Sequence, residues 1–482
     1  LVARPRLAAV FPGHLHNFFS NEPAGTPIFS LPSTAFVRGD YSELFAVGQP
    51  SEHENGRNDV SKLGVLVVDV YPDRLVPQFI RTQDRPEGAA PQVQRDWPQL
   101  PPAAAGRDPG LGLDLRYHWG ELPQIPYSSM LDEFRRKQAR NDYPILALWE
   151  MGIRALRVPL DDLADPASRA RMRALAALGS RFTVFLFGWP TDEQIELLRQ
   201  HQGLLRPLEL IVKWPLAPDL GGRLGALRAR VGVPLHLSRF WSASGQSRDG
   251  KQIKLLVDHG FAGPADPAAE ALLQATRGQG FDGLVFRVAA DTDVDEGITG
   301  AAAFAARHGL RAQVHVRLAS DSPAQARTDA QANGVRALGA TFTSRGCPQA
   351  DVFLDTLSDV DRGYFPRAGL VDRRFNPKRE GQALRNLHGA LSELPAMDTP
   401  RWVRDPQFLV GAARMDRSQL LLVLPLGGAA LMQLPDWLDT QDLRVRRWLD
   451  LASGEERPWP ASDPDTAKVL DGPCLIELAT SR

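Results

Sequence analysis

The sequence predicts an α/β protein centred on a TIM-like (β/α)8 barrel, with a partial α/β segment before it and a small β-sandwich after it. Three observations predict this. Between residues 142 and 395, eight short apolar runs alternate with stretches rich in Ala, Leu, Arg and Glu, as strands and crossover helices of a closed parallel barrel do. Before residue 82 and after residue 402 the chain instead shows short apolar runs punctuated by Gly and Pro, the mark of small strands and turns. A length of 482 residues also exceeds what one hydrophobic core usually serves, so several domains are expected.

Taken in order, residues 1–82 hold strand-like runs at 8–11 and 26–31, and a closing hairpin formed by 63–70 and 75–81 around Tyr71, Pro72 and Asp73. The stretch 84–112 is dense in Pro, Gly, Ala and Gln, and 83–141 is read as a linker and covering segment with a helix over 129–140. The barrel is assigned to 142–395, with strands at 155–160, 182–187, 209–214, 234–240, 253–257, 284–289, 311–318 and 352–357. Helical segments at 167–178, 192–201, 268–278 and 297–308 lie between them. A doubly wound open sheet is the competitor. Its signature is missing: the Gly278-Gln279-Gly280-Phe281-Asp282-Gly283 match leads into a strand when it should follow one, and there is no P-loop. Residues 402–482 then return to strand-like runs, read as a small antiparallel β domain.

Composition narrows the classes of function. Lys and Arg total 56 against 57 Asp and Glu, a net charge of −1, which gives no basic excess for nucleic acid or an anionic membrane. The most apolar run, 420–434, is too short for a span and is broken by Pro425, Gly427 and Gly428. The two cysteines, Cys347 and Cys474, cannot build a disulfide framework, which suits a reducing cytoplasm. The chain begins at Leu1 with what reads as the middle of a domain, so a processed or truncated product is expected.

Gly13-His14-Leu15-His16-Asn17 follows the apolar run 8–11, on a loop at a strand end. Two imidazoles one residue apart can reach adjacent metal ions. With the Pro-containing next strand and the closing hairpin, this segment resembles the C-terminal part of a calcineurin-like metallophosphoesterase. The resemblance implies that His14 and His16 each ligate one of two divalent ions (Mn, Fe or Zn) of a site that hydrolyses a phosphate ester. It covers residues 1–82 at most, and the other ligand blocks of that family are missing from the chain. The sequence reading is therefore the C-terminal portion of a metal-dependent phosphoesterase with an accessory barrel, incomplete as a phosphoesterase.

The barrel offers an alternative site. In 311–318 the apolar set Ala312, Val314, Val316 and Leu318 faces the helices, so Arg311, Gln313, His315 and Arg317 point inward. The same alternation turns Arg157, Lys213, His236, Ser238, Arg287 and Asp355 inward. Branched apolar residues usually fill such a barrel. One reading is a pocket for an anionic or hydroxyl-rich ligand, with Asp355, Asp359 and Asp361 on the last loop and Trp189, Trp214, Phe240 and Trp241 as stacking walls. The other is a structural ion network. Residues 354–367 also resemble the end of a glycosidase-type barrel, although the usual glutamates after strands four and seven are missing. The alternative function is thus a glycosidase-like hydrolase, or a noncatalytic module for carbohydrate or anion. Asp291, Asp293, Asp295 and Glu296 are read as a solvated acidic loop.

Overall fold

The structure is a computed structural model. It describes residues 8–34 and 62–82 except 15, 23–24 and 73–74; then 111–115, 119, 122, 124–125, 137–138 and 140–480. Within the last stretch 215, 249–250, 319–328, 360–366, 417, 428–431, 434–442, 458–468 and 471 are excluded. Asp361 falls outside the described residues, as does most of the expected helix 129–140.

Eight parallel strands close into a barrel: β1 (Leu111–Asp114), β2 (Ala155–Pro159), β3 (Arg181–Phe187), β4 (Leu205–Val212), β5 (Leu235–Arg248), β6 (Gly283–Val288), β7 (Arg311–Val316) and β8 (Ala350–Leu354). Each pairs with its sequence neighbour, and β8 returns to β1 through Val352 opposite Leu111. Helices α1 (Tyr143–Glu150), α2 (Leu160–Ala164), α3 (Pro166–Ala177), α4 (Asp192–Gln200), α5 (Leu220–Val231), α6 (Pro267–Thr276), α7 (Val294–Arg307), α8 (Ala330–Arg345) and α9 (Arg379–Glu393) complete the units. Their starts are written locally. Asp165 caps α3 by accepting from the Ser168 amide at 2.7 Å, and Thr191 with Gln194 forms a capping box on α4.

Two strands differ from the sequence reading. Leu111–Asp114, inside the expected linker, is the first stave of the barrel. Residues 253–257 belong to a strand, Lys251–His259, that runs antiparallel to the long outer half of β5. This return arm is not a stave. Its end enters the barrel wall: β5 and β6 pair only at His236–Gly283 and Leu237–Leu284. Above that point Gly260 donates to the Arg239 carbonyl and Phe261 donates to the Val285 carbonyl. The arm fills the gap between two parting staves and delivers Asp258 and His259 to the C-terminal mouth.

The N-terminal segment is not the α/β segment the resemblance implied. Among the described residues from 8 to 82 there is no α-helix, and the strands form two antiparallel pairs, Phe19–Asn21 with Ile28–Ser30 and Gly64–Val70 with Leu75–Arg81. The second pair is the expected hairpin. Both pack on α1, whose sequence Tyr-Pro-Ile-Leu-Ala-Leu-Trp-Glu is apolar on nearly every side and buried along its whole length. Phe18 and Phe29 meet Trp149 at ring separations of 5.3 and 5.4 Å. Arg81 holds the buried Glu150 with two hydrogen bonds of 2.8 and 2.9 Å.

At the other end, a five-stranded antiparallel sheet is ordered Arg401–Arg404, Phe408–Arg414, Ser418–Pro425, Cys474–Thr480 and Leu443–Asp450. Period-two alternation divides its residues cleanly. Leu420, Leu422, Leu424 and Leu475 join the barrel core, whereas Phe408, Leu421, Val423, Trp448 and Ile476 form a second core with Leu470 from a small strand pair. No helix among the described residues is long and apolar enough to cross a membrane.

Candidate functional site in the barrel

The interior of the barrel is polar in two layers. In the lower one, Arg157 of β2 lies between Asp114 of β1 at 3.0 Å and Glu209 of β4 at 2.6 Å, its guanidinium 3.8 Å from the Phe185 ring centre. Gln313 of β7 joins the next partners: its amide donates to Glu209 Oε2 at 2.7 Å and to His315 Nε2 at 2.8 Å, and its carbonyl lies 3.1 Å from His236 Nδ1. His259 Nδ1 is 3.3 Å from Glu209 Oε1. All are buried.

A buried ion is tolerated only when paired, and the protonation states follow from that. Burial alone would raise the Glu209 carboxyl, but Arg157, His315 and His259 together hold it well below the usual carboxylate range. Burial pushes His315 down to about 3, and lowers His236 in the same way, so both rings are neutral at neutral pH. His236 packs against Gly283 of the neighbouring stave, where a Cβ would stand 2.5 Å from the ring.

The upper layer lies at the mouth. Asp258 accepts from Arg287 at 2.6 Å and from Arg317, whose other nitrogen is 3.6 Å from Asp355. Asp355 also accepts from the Leu318 amide and from Thr356, each at 3.0 Å. One guanidinium therefore separates two carboxylates at the barrel's C-terminal end. Aromatic rings stand beside it: Phe185, Phe187 and Phe240 form an edge-to-face row with 6.2 Å spacings, and Phe187 is 56% exposed. Trp189, Trp214 and Trp241 are each covered by an arginine, Arg223 at 4.0 Å, Arg239 at 5.4 Å and Arg287 at 4.8 Å.

The inward assignments are met by Arg157, His236, Ser238, Arg287, Gln313, His315, Arg317 and Asp355. Lys213 shares the face of Glu209 but is exposed beyond the end of β4. Arg311 is at the opposite, exposed end, 3.2 Å from Asp351. Asp359 sits apart, accepting from the Gly369 amide and from Lys378 at 2.8 Å. His14 is exposed and His16 half-buried, both with positive φ. Neither joins a group of three metal-ligating side chains among the described residues. The acidic loop of α7 is docked on the C-terminal sheet, Asp293 pairing with Arg404 at 2.6 Å, beside a cavity of about 250 Å3.

Sequence reasoning missed Glu209, Asp114 and His259. Glu209 was readable, because it shares parity with Lys213 across four residues of a strand. Asp114 and His259 were not, since they ride on the two strands that were misassigned.

No protein-family model matches the chain, and no curated protein does. Solved structures do. A family 39 glycoside hydrolase from Bacteroides cellulosilyticus WH2 is 14% identical, with 78% of this chain and 81% of that one covered at a TM-score of 0.50. A GH30 endoxylanase from Clostridium papyrosolvens C71 is 11% identical over 71% and 93% of the chains, with a TM-score of 0.39. A GH27 β-L-arabinopyranosidase from Geobacillus stearothermophilus is 10% identical over 64% and 76%, with a TM-score of 0.34. The first likeness shows a shared fold; the other two are too low to carry an argument.

These findings overturn the metallophosphoesterase resemblance and the phosphate ester that it implied. The structural likeness is to the fold of a family 39 glycoside hydrolase, and the N-terminal residues form hairpins that brace α1. The glycine-histidine loop looked like a ligand strand end because a short apolar run precedes it. In the structure that run makes a single bridge, Val10 to Ile28.

Proposed function

We propose that the barrel mouth binds a carbohydrate. The observation that carries this reading is the exposed Phe187 in line with Phe185 and Phe240, beside the charged groups Asp258, Arg287, Arg317 and Asp355. A sugar ring has an apolar face that packs on aromatic carbon and hydroxyls that need donors and acceptors, and the mouth supplies both. The fold shared with a family 39 glycoside hydrolase supports the same substrate class.

Hydrolysis is the second reading, favoured by the placement of Asp258 and Asp355 on either side of Arg317. Glycosidases need two carboxyl groups flanking the scissile bond, about 5–9.5 Å apart. In this site both accept from arginine, so a substrate must open those pairs before either acts.

The test is calorimetric titration with a panel of neutral and acidic oligosaccharides, together with turnover of aryl glycosides. Saturable binding weakened at least about tenfold by Phe187→Ala, some 1.4 kcal/mol, supports the proposal. An unaffected affinity, or no binding across the panel, overturns it. Turnover abolished by both Asp258→Asn and Asp355→Asn would establish the hydrolase; binding without turnover would leave a recognition module.

A further inference from the structure

We propose that Glu209, His259 and His315 form a binding site for one divalent transition-metal ion of the zinc type, set between the two polar layers of the barrel. The inference stands on geometry independent of the carbohydrate reading. One ligand atom from each residue can be chosen so that all three lie within 4.8 Å of one another. Two separations are known directly, 3.3 Å from His259 Nδ1 to Glu209 Oε1 and 3.6 Å from His315 Nε2 to Glu209 Oε2. Ligands about 2.0–2.2 Å from a shared tetrahedral zinc stand roughly 3.3–3.6 Å apart. The two measured separations run to different oxygens of the Glu209 carboxylate, so small side-chain rotations would bring one atom from each residue onto a shared ion.

A second observation points to a cation. Glu209 is fully buried, and its Oε1 accepts no hydrogen bond of good geometry. Orphaned acceptors of this kind are rare in native interiors and call for an ion, a water or a function.

The donor set is also chemically apt. Two imidazoles and one carboxylate suit zinc and its first-row neighbours, not magnesium or calcium, which prefer all-oxygen shells. Gln313 Nε2 lies 2.8 Å from His315 Nε2, and an ion would take over that ring nitrogen while the same amide keeps its bond to Glu209 Oε2. His259 comes in on the return arm beside Asp258 of the upper layer and is 8% exposed.

The test uses the full chain, stripped with a chelator and titrated with zinc by calorimetry and with cobalt(II) by visible absorption. One equivalent is expected, with the intense bands of four-coordinate cobalt. His259→Ala should weaken zinc binding at least about 100-fold, whereas the double variant His14→Ala, His16→Ala should leave it within about twofold. Should a barrel variant fail to fold, X-ray absorption on the zinc-loaded wild type decides, with two imidazoles and one carboxylate oxygen expected. Stoichiometric binding lost with His14 and His16 but kept without His259 would overturn the assignment. So would a first shell lacking two imidazoles, or no binding below millimolar zinc, which would leave His259 and Glu209 as an ion pair only.

Discussion

Arg157 is a side chain whose loss has a calculable penalty. Its guanidinium compensates Asp114 and Glu209 in a space without water. Removing one partner of a buried ion pair costs about 3–5 kcal/mol, because the remaining charge stays buried. Arg157→Ala should therefore lower the unfolding free energy by about that amount in urea titrations, with Arg157→Ala combined with Glu209→Gln costing less than the two single losses together. His236 makes a pH prediction. Burial lowers its folded pKa, so on acidification the unfolded chain takes up a proton before the folded one. Its contribution is complete above the unfolded value of about 6.5 and declines as the pH falls toward the lowered folded value. His236→Gln should flatten the dependence of Tm on pH between about 7 and 5; an unchanged slope would show that other groups set it.

Among the elements, α1 and the capped helices behave differently. Asp165 holds the first turn of α3 from an exposed position, and Asp165→Ala should cost about 1 kcal/mol, typical of a lost cap. Trp149 on α1 meets Phe18 and Phe29 in the core, and Trp149→Ala should cost about 3–5 kcal/mol in the same assay. The elements also show what was legible in the chain. Alternation in β7 gave the right faces because Ala312, Val314 and Val316 are all fully buried outward, and a six-residue strand leaves no slack in parity. β1 was illegible: four residues in a Pro- and Gly-rich stretch carry no period of their own, and only pairing with β2 and β8 defines them. The return arm carries a signal in the sequence. Asp249-Gly250 stands between Arg248 and Lys251, which pair across a two-residue connection, and Asp-Gly in that setting marks a hairpin. An ion network was one of the readings the inward polar residues allowed, but its pairings could not be read, because Asp114, Arg157, Glu209 and Asp258 come from distant parts of the chain.

Across the whole molecule, barrel, N-terminal hairpins and C-terminal sheet share one hydrophobic core. A chain begun at residue 142, the start expected for the barrel, lacks β1 and leaves edges on β2 and β8. Open edges and the uncovered face of α1 should make it aggregate, whereas a chain that retains residues 8–82 and β1 should elute as a folded species in size-exclusion chromatography.

The return arm has a mechanical consequence. Asp258 and His259 sit at the end of a nine-residue strand whose other end, at Lys251, forms the tip of a two-stranded ribbon, a span of roughly 30 Å at about 3.3 Å per residue. The strand that carries two of the charged and ring-bearing groups of the mouth at one end is thus paired along its whole length with the outer half of β5, and a contact made near Lys251 falls on the same strand as Asp258 and His259.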